Sequence, residues 1–301
     1  MEQHTIEIFM PSGTTDVTQM SEFTGAIPSL AHLWLWTPTS YEAELPSHTT
    51  LLAVDSLTST GLFKDMAERA SADFVLYLTK PNVKVEAGML EALLGAMPAD
   101  ASMAYGHYRK VVDGKLADAP VIDCLEGALR NDFDFGPAIV FRTSALKEYL
   151  AMELEGYGYA GFYQLRLALE RLGKIFRFNG YLSQESESDN RKSGEKQFDY
   201  VNPAQRAVQN EMERACTAHL KAVGALLPPC KYKEIDLSIG DFTVEASVVI
   251  PVLNRESTIA DAVKSVLAQE TSFKFNILVV DNHSTDRTSQ IIDSFDDERV
   301  V

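Results

Sequence analysis

A chain of 301 residues, 46% of them hydrophobic, has room for two folded domains and the composition of a globular protein. Its formal net charge of −16 argues against a nucleic-acid partner, because neutralising phosphates takes clustered Lys and Arg, and equally against an anionic membrane surface. Cys124, Cys216 and Cys230 are widely spaced and form no CxxC pair, which excludes a disulfide framework or a zinc site and points to a reducing compartment.

The opening MEQHTIEIFMPSG has no basic segment leading into an apolar core, so no signal peptide is expected. No apolar run approaches the ~20 residues of a membrane helix. The expectation is a cytoplasmic protein without a transmembrane segment.

Short apolar strands then alternate with helical stretches, the pattern of an α/β layer fold. Strands are expected at residues 5–9, 32–36, 50–54, 74–78, 138–142 and 174–178. Helical spacing falls at 61–70, 87–96 and 161–172. The stretch QESESDNRKSGEKQFD (184–199) is charged and aperiodic and predicts a solvated loop. A helix follows, with Asn202 as its cap, Pro203 in its first turn and Pro228-Pro229 as its stop. It reads as a connector between two domains.

A second α/β unit starts near Val244. SVVIPV is a continuous apolar strand, 258–269 an amphipathic helix, 276–280 another buried strand and 287–295 a second helix, and RVV opens a third strand. Such an order with short loops implies parallel strands and right-handed crossovers. Strands apolar on both sides suit a sheet covered by helices on both faces. Ligands bind beyond the carboxyl ends of such strands, which singles out Asp281 and the loop from Pro251 to Glu256.

SVVIPVLNRESTIADAVKSVLAQ, followed by FNILVVDNHSTDRT, resembles the opening of family-2 glycosyltransferases. The family pattern is an apolar strand ending in Pro-x-Tyr-Asn, a helix ending in Gln, then V-V-D-D-G-S-x-D. Three positions depart from it, with Leu253 for Tyr, Asn282 for the second Asp and His283 for Gly. The resemblance implies the nucleotide-sugar-binding GT-A fold and a nucleotide-binding set of Pro251, Leu253, Asn254, Glu256, Asp281, Asn282 and Ser284. A uracil ring offers an N–H that a strand-end carboxylate accepts in a fixed orientation. Asp281, or Asn282 beside it, is placed for that contact. Leu253 removes an aromatic and Asn282 a carboxylate, which weakens the case for strict uridine specificity. Ser284 and Thr285 read more simply as caps of the next helix, and Asp286 as a charge favourable to its dipole.

The resemblance further implies a D-x-D motif holding a divalent cation (Mn²⁺ or Mg²⁺) and a carboxylate base, both later in the family than the strand at Asp281. Neither is expected within this chain. Residues 1–183 resemble a diverged copy of the same fold. HLWLWTPTS (32–40) matches NILVVDNHS, placing Thr37 and Pro38 opposite Asp281 and Asn282, and Ser40 opposite Ser284. ADFVLYLTKPNVKVEAGMLEALL (72–94) has Thr79 and Pro81 where the metal-binding acids belong. FGPAIVFRTSAL (135–146) resembles the acceptor-side strand. The segment from Gly158 to Phe178 resembles the one that carries Glu-Asp ahead of Asp-x-x-x-Arg in the family, yet no acid occurs between Gly156 and Leu169.

The organisation read from this is a degenerate GT-A-like domain at 1–198, a helical linker at 199–232 and a partial second GT-A domain at 233–301. Asp132-Phe133-Asp134 is a literal D-x-D, but it falls after the expected metal strand. Two acids flanking a Phe are common in so acidic a chain, so no metal role is assigned. Asp55 reads as a loop cap, and Trp34 and Trp36 as core.

The expected function is transfer of a sugar from a nucleotide sugar, a UDP-sugar, to a glycan or polysaccharide acceptor, with this chain itself inactive and a homodimer expected. Two alternatives stand beside it. One is a non-catalytic module binding glycan or a partner. The other is a different nucleotide-dependent enzyme on the same scaffold, although no GxGxxG or GxxxxGK[ST] occurs to support it.

Overall fold

A computed structural model of the protein describes residues 4–12, 27–37, 45–81, 83–112, 115–186, 206–227, 233–236, 239–240 and 242–301. Its contacts divide the chain into two compact units, residues 1–227 and 228–301.

The first unit is a mixed nine-stranded sheet with helices on both faces. Its strands are β1 (Ile6–Pro11), β2 (Leu30–Thr37), β3 (Thr49–Ala53), β4 (Phe74–Leu78), β5 (Lys84–Val85), β6 (Ala101–Val112), β7 (Lys115–Ala119), β8 (Ala138–Arg142) and β9 (Lys174–Ser186). The order is β3-β2-β1-β4-β8-β6-β9-β5, with β7 paired to β6. Strands β3 to β4 run parallel, β8 runs against β4 and β6, and β6 and β9 are again parallel. β1 (IEIFMP) and β4 (FVLYL) are buried at every position, as central strands covered on both sides must be. The one acid among them, Glu7, is satisfied by the backbone N–H and hydroxyl of Ser71 at 3.1 and 2.7 Å.

Helices α1 (Thr60–Arg69), α3 (Thr143–Leu150) and α4 (Gly161–Leu172) cover one face, and α2 (Ala87–Ala96) covers the other. Ser59 caps α1 by accepting the N–H of Leu62. Trp36 is fully buried and Trp34 packs beside Phe9, so the tryptophans are core, as expected.

Six strands and three helices of this unit lie close to where the sequence places them. β5, β6, β7 and α3 are additions. β6 (ASMAYGHYRKVV) has neither alternation nor an apolar run and is a strand because β8 and β9 pair with it. Gly106 permits that pairing, since a Cβ there would sit 3.0 Å from the Gly180 carbonyl. The loop expected at 184–199 is corrected at its start. Gln184–Ser186 complete β9 in register with Arg109–Val111 of β6, and 187–199 lie outside the described residues.

Helix α5 (Arg206–Ala222) packs on α4 through Ala215, Met212 and Cys216 against Tyr157, Tyr163 and Leu167. It therefore belongs to the body of the first unit. Its expected cap Asn202, with Pro203, and the stop at Pro228-Pro229 lie outside the described residues.

The second unit contains β10 (Ala246–Val252), α6 (Ile259–Leu267), β11 (Phe275–Asp281) and α7 (Thr288–Asp293). β10 and β11 are parallel and in register through seven pairs, from Ala246 opposite Phe275 to Val252 opposite Asp281. Val300 bridges Ile277 on the other side of β11, so the expected third strand is present as a single bridge. Val252, Phe275 and Ile277 pack on Ile259 and Val263 of α6, with Ile291 and Ile292 of α7 alongside. The expectation of helices on both faces is not met. Both helices share one face, and on the other Val249 and Val280 are 56% and 54% exposed.

Candidate nucleotide-binding site

Two loops follow the carboxyl ends of β10 and β11, and polar side chains lace them together. Asp281 ends β11, and its Oδ1 accepts the backbone N–H of Ser284 at 3.0 Å and its hydroxyl at 2.6 Å. The other oxygen accepts the Ser289 hydroxyl. Hydrogen bonds from Ser284 and then Ser289 hold the Asp281 carboxyl below the usual carboxylate range. A carboxylate has about four acceptor sites, so three protein donors leave room for one from a ligand.

Across the cleft Asn254 adopts a left-handed backbone, with φ of 52°. Its N–H donates to Ser284 Oγ at 2.9 Å, and its Oδ1 accepts the Thr285 N–H at 2.8 Å. Asp286 Oδ2 accepts the Glu256 N–H at 3.1 Å, and Glu256 Oε2 accepts the Arg287 N–H at 3.1 Å. Asn282 N–H bonds the Val252 carbonyl at 2.8 Å, carrying the ladder one residue past the strands.

Leu253, Asn254, Glu256, Asp281, Asn282 and Ser284 therefore lie at the strand ends and on these two loops, and Pro251 lies one residue before the end of β10, opposite Val280. Pro251, Leu253, Asn254, Glu256 and Asn282 are exposed, and Asp281 and Ser284 are half-buried. Ser284 and Thr285 are corrected as helix caps, because their hydroxyls turn to Asp281 and Asn254. Asp286 is the residue that takes the Thr288 N–H, at 2.9 Å, at the start of α7. Sequence reasoning missed Ser289, whose place in the first turn of α7 brings its hydroxyl to Asp281.

The donors present do not fit a divalent cation, which needs several converging oxygens. Asp132 turns to Arg130, at 2.9 and 3.0 Å, and Asp134 to the Tyr108 hydroxyl and the Gly136 N–H, so the literal D-x-D does not converge. Thr79 and Pro81 leave the end of β4 without an acid, and the Lys80 ammonium lies there. Among the described residues no group of three His, Cys, Asp or Glu side chains could hold a metal ion. Nor is any described helix long and apolar enough to cross a membrane. Asp55 lies exposed just past β3 and does not cap α1.

Residues 247–301 match the model of the family described as Glycosyl transferase family 2. No curated protein matches the chain. Among solved structures it is similar to S. aureus TarS 1-349 in complex with UDP-GlcNAc, at 10% identity over 72% of this chain and 71% of that one, with a TM-score of 0.46. It is also similar to glucosyl-3-phosphoglycerate synthase from Mycobacterium tuberculosis, at 14% identity over 71% and 80% of the two chains, with a TM-score of 0.45. Mannosyl-3-phosphoglycerate synthase from Rubrobacter xylanophilus gives 13% identity, 76% and 78%, and a TM-score of 0.41. The family match falls within the second unit, from residue 247 in β10 to Val301.

Proposed function

We propose that the cleft between the β10 and β11 loops takes the nucleoside part of a nucleotide sugar, a UDP-sugar, in transfer of the sugar to a glycan or polysaccharide acceptor. The observation that carries this reading is Asp281. It is an ionised carboxylate at a strand end, held by Ser284 and Ser289, facing a loop fixed by Asn254. Such a group accepts the N–H of a pyrimidine ring without reorganising. Leu253 gives the ring an apolar wall, and Asn282 adds an amide beside the carboxylate. The family resemblance supports an inverting displacement, in which an activated acceptor hydroxyl expels the nucleoside diphosphate.

The family's divalent cation would stabilise the departing diphosphate. No step is assigned to it, because among the described residues no three His, Cys, Asp or Glu side chains converge to hold it. The 301-residue chain is accordingly read as a binder that does not turn over. The chain is read as a degenerate GT-A-like domain at 1–198, a helical linker at 199–232 whose helix α5 packs on that domain, and a second domain at 233–301. A second reading, a non-catalytic module that binds glycan or a partner, is favoured by the loss of acids from β4 while its sheet is intact. Calorimetric titration of the chain with uridine diphosphate tests the first reading. Saturable binding abolished by crowding the site, as in Asn282→Trp, is expected. Binding that survives that change removes the cleft from consideration.

A further inference from the structure

In the first unit the amino-terminal ends of β1 and β4 meet the carboxyl end of β8, whose antiparallel course pairs Arg142 with Phe74. An open cleft of about 710 Å³ lies there, lined by His4, Asp73, Phe74, Arg142, Thr143 and Ser144. It is at the end of the sheet away from the loop that follows β4. Helix α3 starts in this cleft without a side-chain cap and with no acid in its first turn. The Thr143 N–H goes to the Asp73 carbonyl at 3.1 Å, which leaves those of Ser144 and Ala145 to an acceptor from outside the helix. Thr143 is only 9% exposed, and its hydroxyl is buried without a partner, a rare state for a polar group. Arg142 spends Nε on the Ala101 carbonyl and Nη2 on that of Pro98, both at 2.9 Å, and pairs with no carboxylate among the described residues. Its guanidinium lies 5.0 Å from the centre of the Phe74 ring, and the His4 ring stands edge-on to the same ring at 5.3 Å.

An uncapped helix start beside a guanidinium and an unsatisfied hydroxyl suits an anion. Asp73 limits which one. Its Oδ2 accepts the Thr5 N–H at 2.8 Å and the Thr5 hydroxyl at 3.0 Å, and its Oδ1 takes no donor among the described residues. The Thr5 backbone hydrogen bond, above all, holds this carboxyl below the usual carboxylate range, so it is ionised at neutral pH. An anion with no proton would be repelled by that charge. One that keeps a proton can donate it to Asp73 and still offer its other oxygens to α3. Sulfate keeps none at neutral pH, and a phosphomonoester, with a second pKa of about 6, is mostly the bare dianion. Inorganic phosphate keeps at least one. We propose that this cleft binds inorganic phosphate, its P–OH donating to Asp73. Its other oxygens accept from the Ser144 and Ala145 N–H groups, the Thr143 hydroxyl and Arg142. The site belongs to the first unit alone and is independent of the nucleotide cleft in the second.

The test is phosphorus NMR of inorganic phosphate titrated with the full chain at neutral pH and constant ionic strength, with sulfate and glycerol 2-phosphate as competitors. Saturable line broadening is expected, and each competitor should need about tenfold the phosphate concentration to reverse it, the worth of one charge-assisted hydrogen bond. Thr143→Val keeps the side-chain shape and removes a hydroxyl that has no protein partner. It should weaken phosphate several-fold without lowering the thermal midpoint, whereas a hydroxyl with only a structural role would lower the midpoint and leave binding alone. Asp73→Asn keeps an acceptor for Thr5 and should let sulfate compete as well as phosphate. The proposal is overturned by a parent chain that does not broaden the signal, or by sulfate competing equally in the parent. It is overturned as well by Thr143→Val binding like the parent, or by discrimination against sulfate that survives in Asp73→Asn.

Discussion

The carboxylate of Glu211, on α5, accepts the backbone N–H of Tyr159 at 2.6 Å, and with it those of Gly158 and Ala160 at 3.2 Å each. These three donors lead into α4, whose own cap position, Ala160, has no side chain to satisfy them. Burial alone would raise the Glu211 carboxyl, but the three backbone hydrogen bonds prevail and hold it below its ordinary value. A side chain 51 to 53 residues downstream in sequence thus supplies the cap. Glu211→Ala should cost about 1–2 kcal/mol, the usual range for a lost cap, read as a lower urea midpoint with little change in slope. An unchanged midpoint would show that solvent replaces the carboxylate.

Removing the Asp281 carboxylate should weaken uridine diphosphate binding about tenfold or more, since a charge-assisted hydrogen bond is worth roughly 1.5–3 kcal/mol. Asp281→Ala also frees Ser284 and Ser289, so Ser289→Ala is the companion variant. If both lose binding equally, the carboxylate acts by fixing the loop. A larger loss in Asp281→Ala alone marks a direct contact with the base.

Acid should unfold the second unit through three aspartates. Asp281 and Asp286 are held low by hydroxyl and backbone donors, and Asp297 is held at about 2 by Arg299. A depressed folded pKa contributes stability that is present above the unfolded value, about 3.9, and is lost as pH falls through the folded value. Amide exchange of β10 and β11, corrected for its intrinsic pH dependence, should therefore be level above about pH 5 and rise steeply toward pH 2. His219 works in the first unit with a different window. Burial, then the neighbouring Arg171, lowers its pKa, so the unfolded chain binds the proton better and α5 should loosen as pH drops below about 6.5.

The open face of the second unit should make the chain self-associate. Val249 and Val280 stand exposed on it, and among the described residues β10 has β11 as its one neighbour. Apolar faces and unpaired edges of this kind recruit another chain. Light scattering should give a mass that grows with concentration, and Val249→Glu should bring it down to the monomer. A monomer at all concentrations in the parent chain would refute this.

No nucleotide sugar should be turned over by the 301-residue chain in the presence of Mn²⁺. The prediction follows from the orientation of the literal D-x-D, with Asp132 turned to Arg130 and Asp134 to Tyr108 and Gly136. Measurable release of uridine diphosphate from any donor in a panel would overturn it, and loss of that activity in Asp134→Asn would then identify the ligand overlooked.

The second unit was the more legible in sequence. Its strands are unbroken apolar runs and its loops carry a family pattern, so the residues around the cleft could be named one by one. The hydrogen bonds among them could not. Ser284 was read as a cap because a small hydroxyl before a helix usually is one. Only the left-handed turn at Asn254 shows that it is needed elsewhere. In the first unit β1, β4 and α4 were readable from burial on both faces or from helical period. β6 and α3 were not, because neighbours define the first and the second starts directly after β8 with no cap. The Lys80–Glu185 pair was invisible, since it joins residues 105 apart in sequence.

The register of β10 on β11 has a consequence for how the cleft is kept in shape. Val249, Pro251, Leu278 and Val280 are as apolar as the buried residues they alternate with, so sliding one strand by a residue would exchange two similar sets of side chains. Hydrophobic pattern usually forbids such a slip, and here it hardly discriminates. Alignment must come from the strand ends, where Asn282 is tied to Val252, and Asn254 to Ser284 and Thr285. The proposed ligand-binding residues are therefore also the pins that set the pairing, and a substitution at Asn254 should blur the sheet before it empties the cleft.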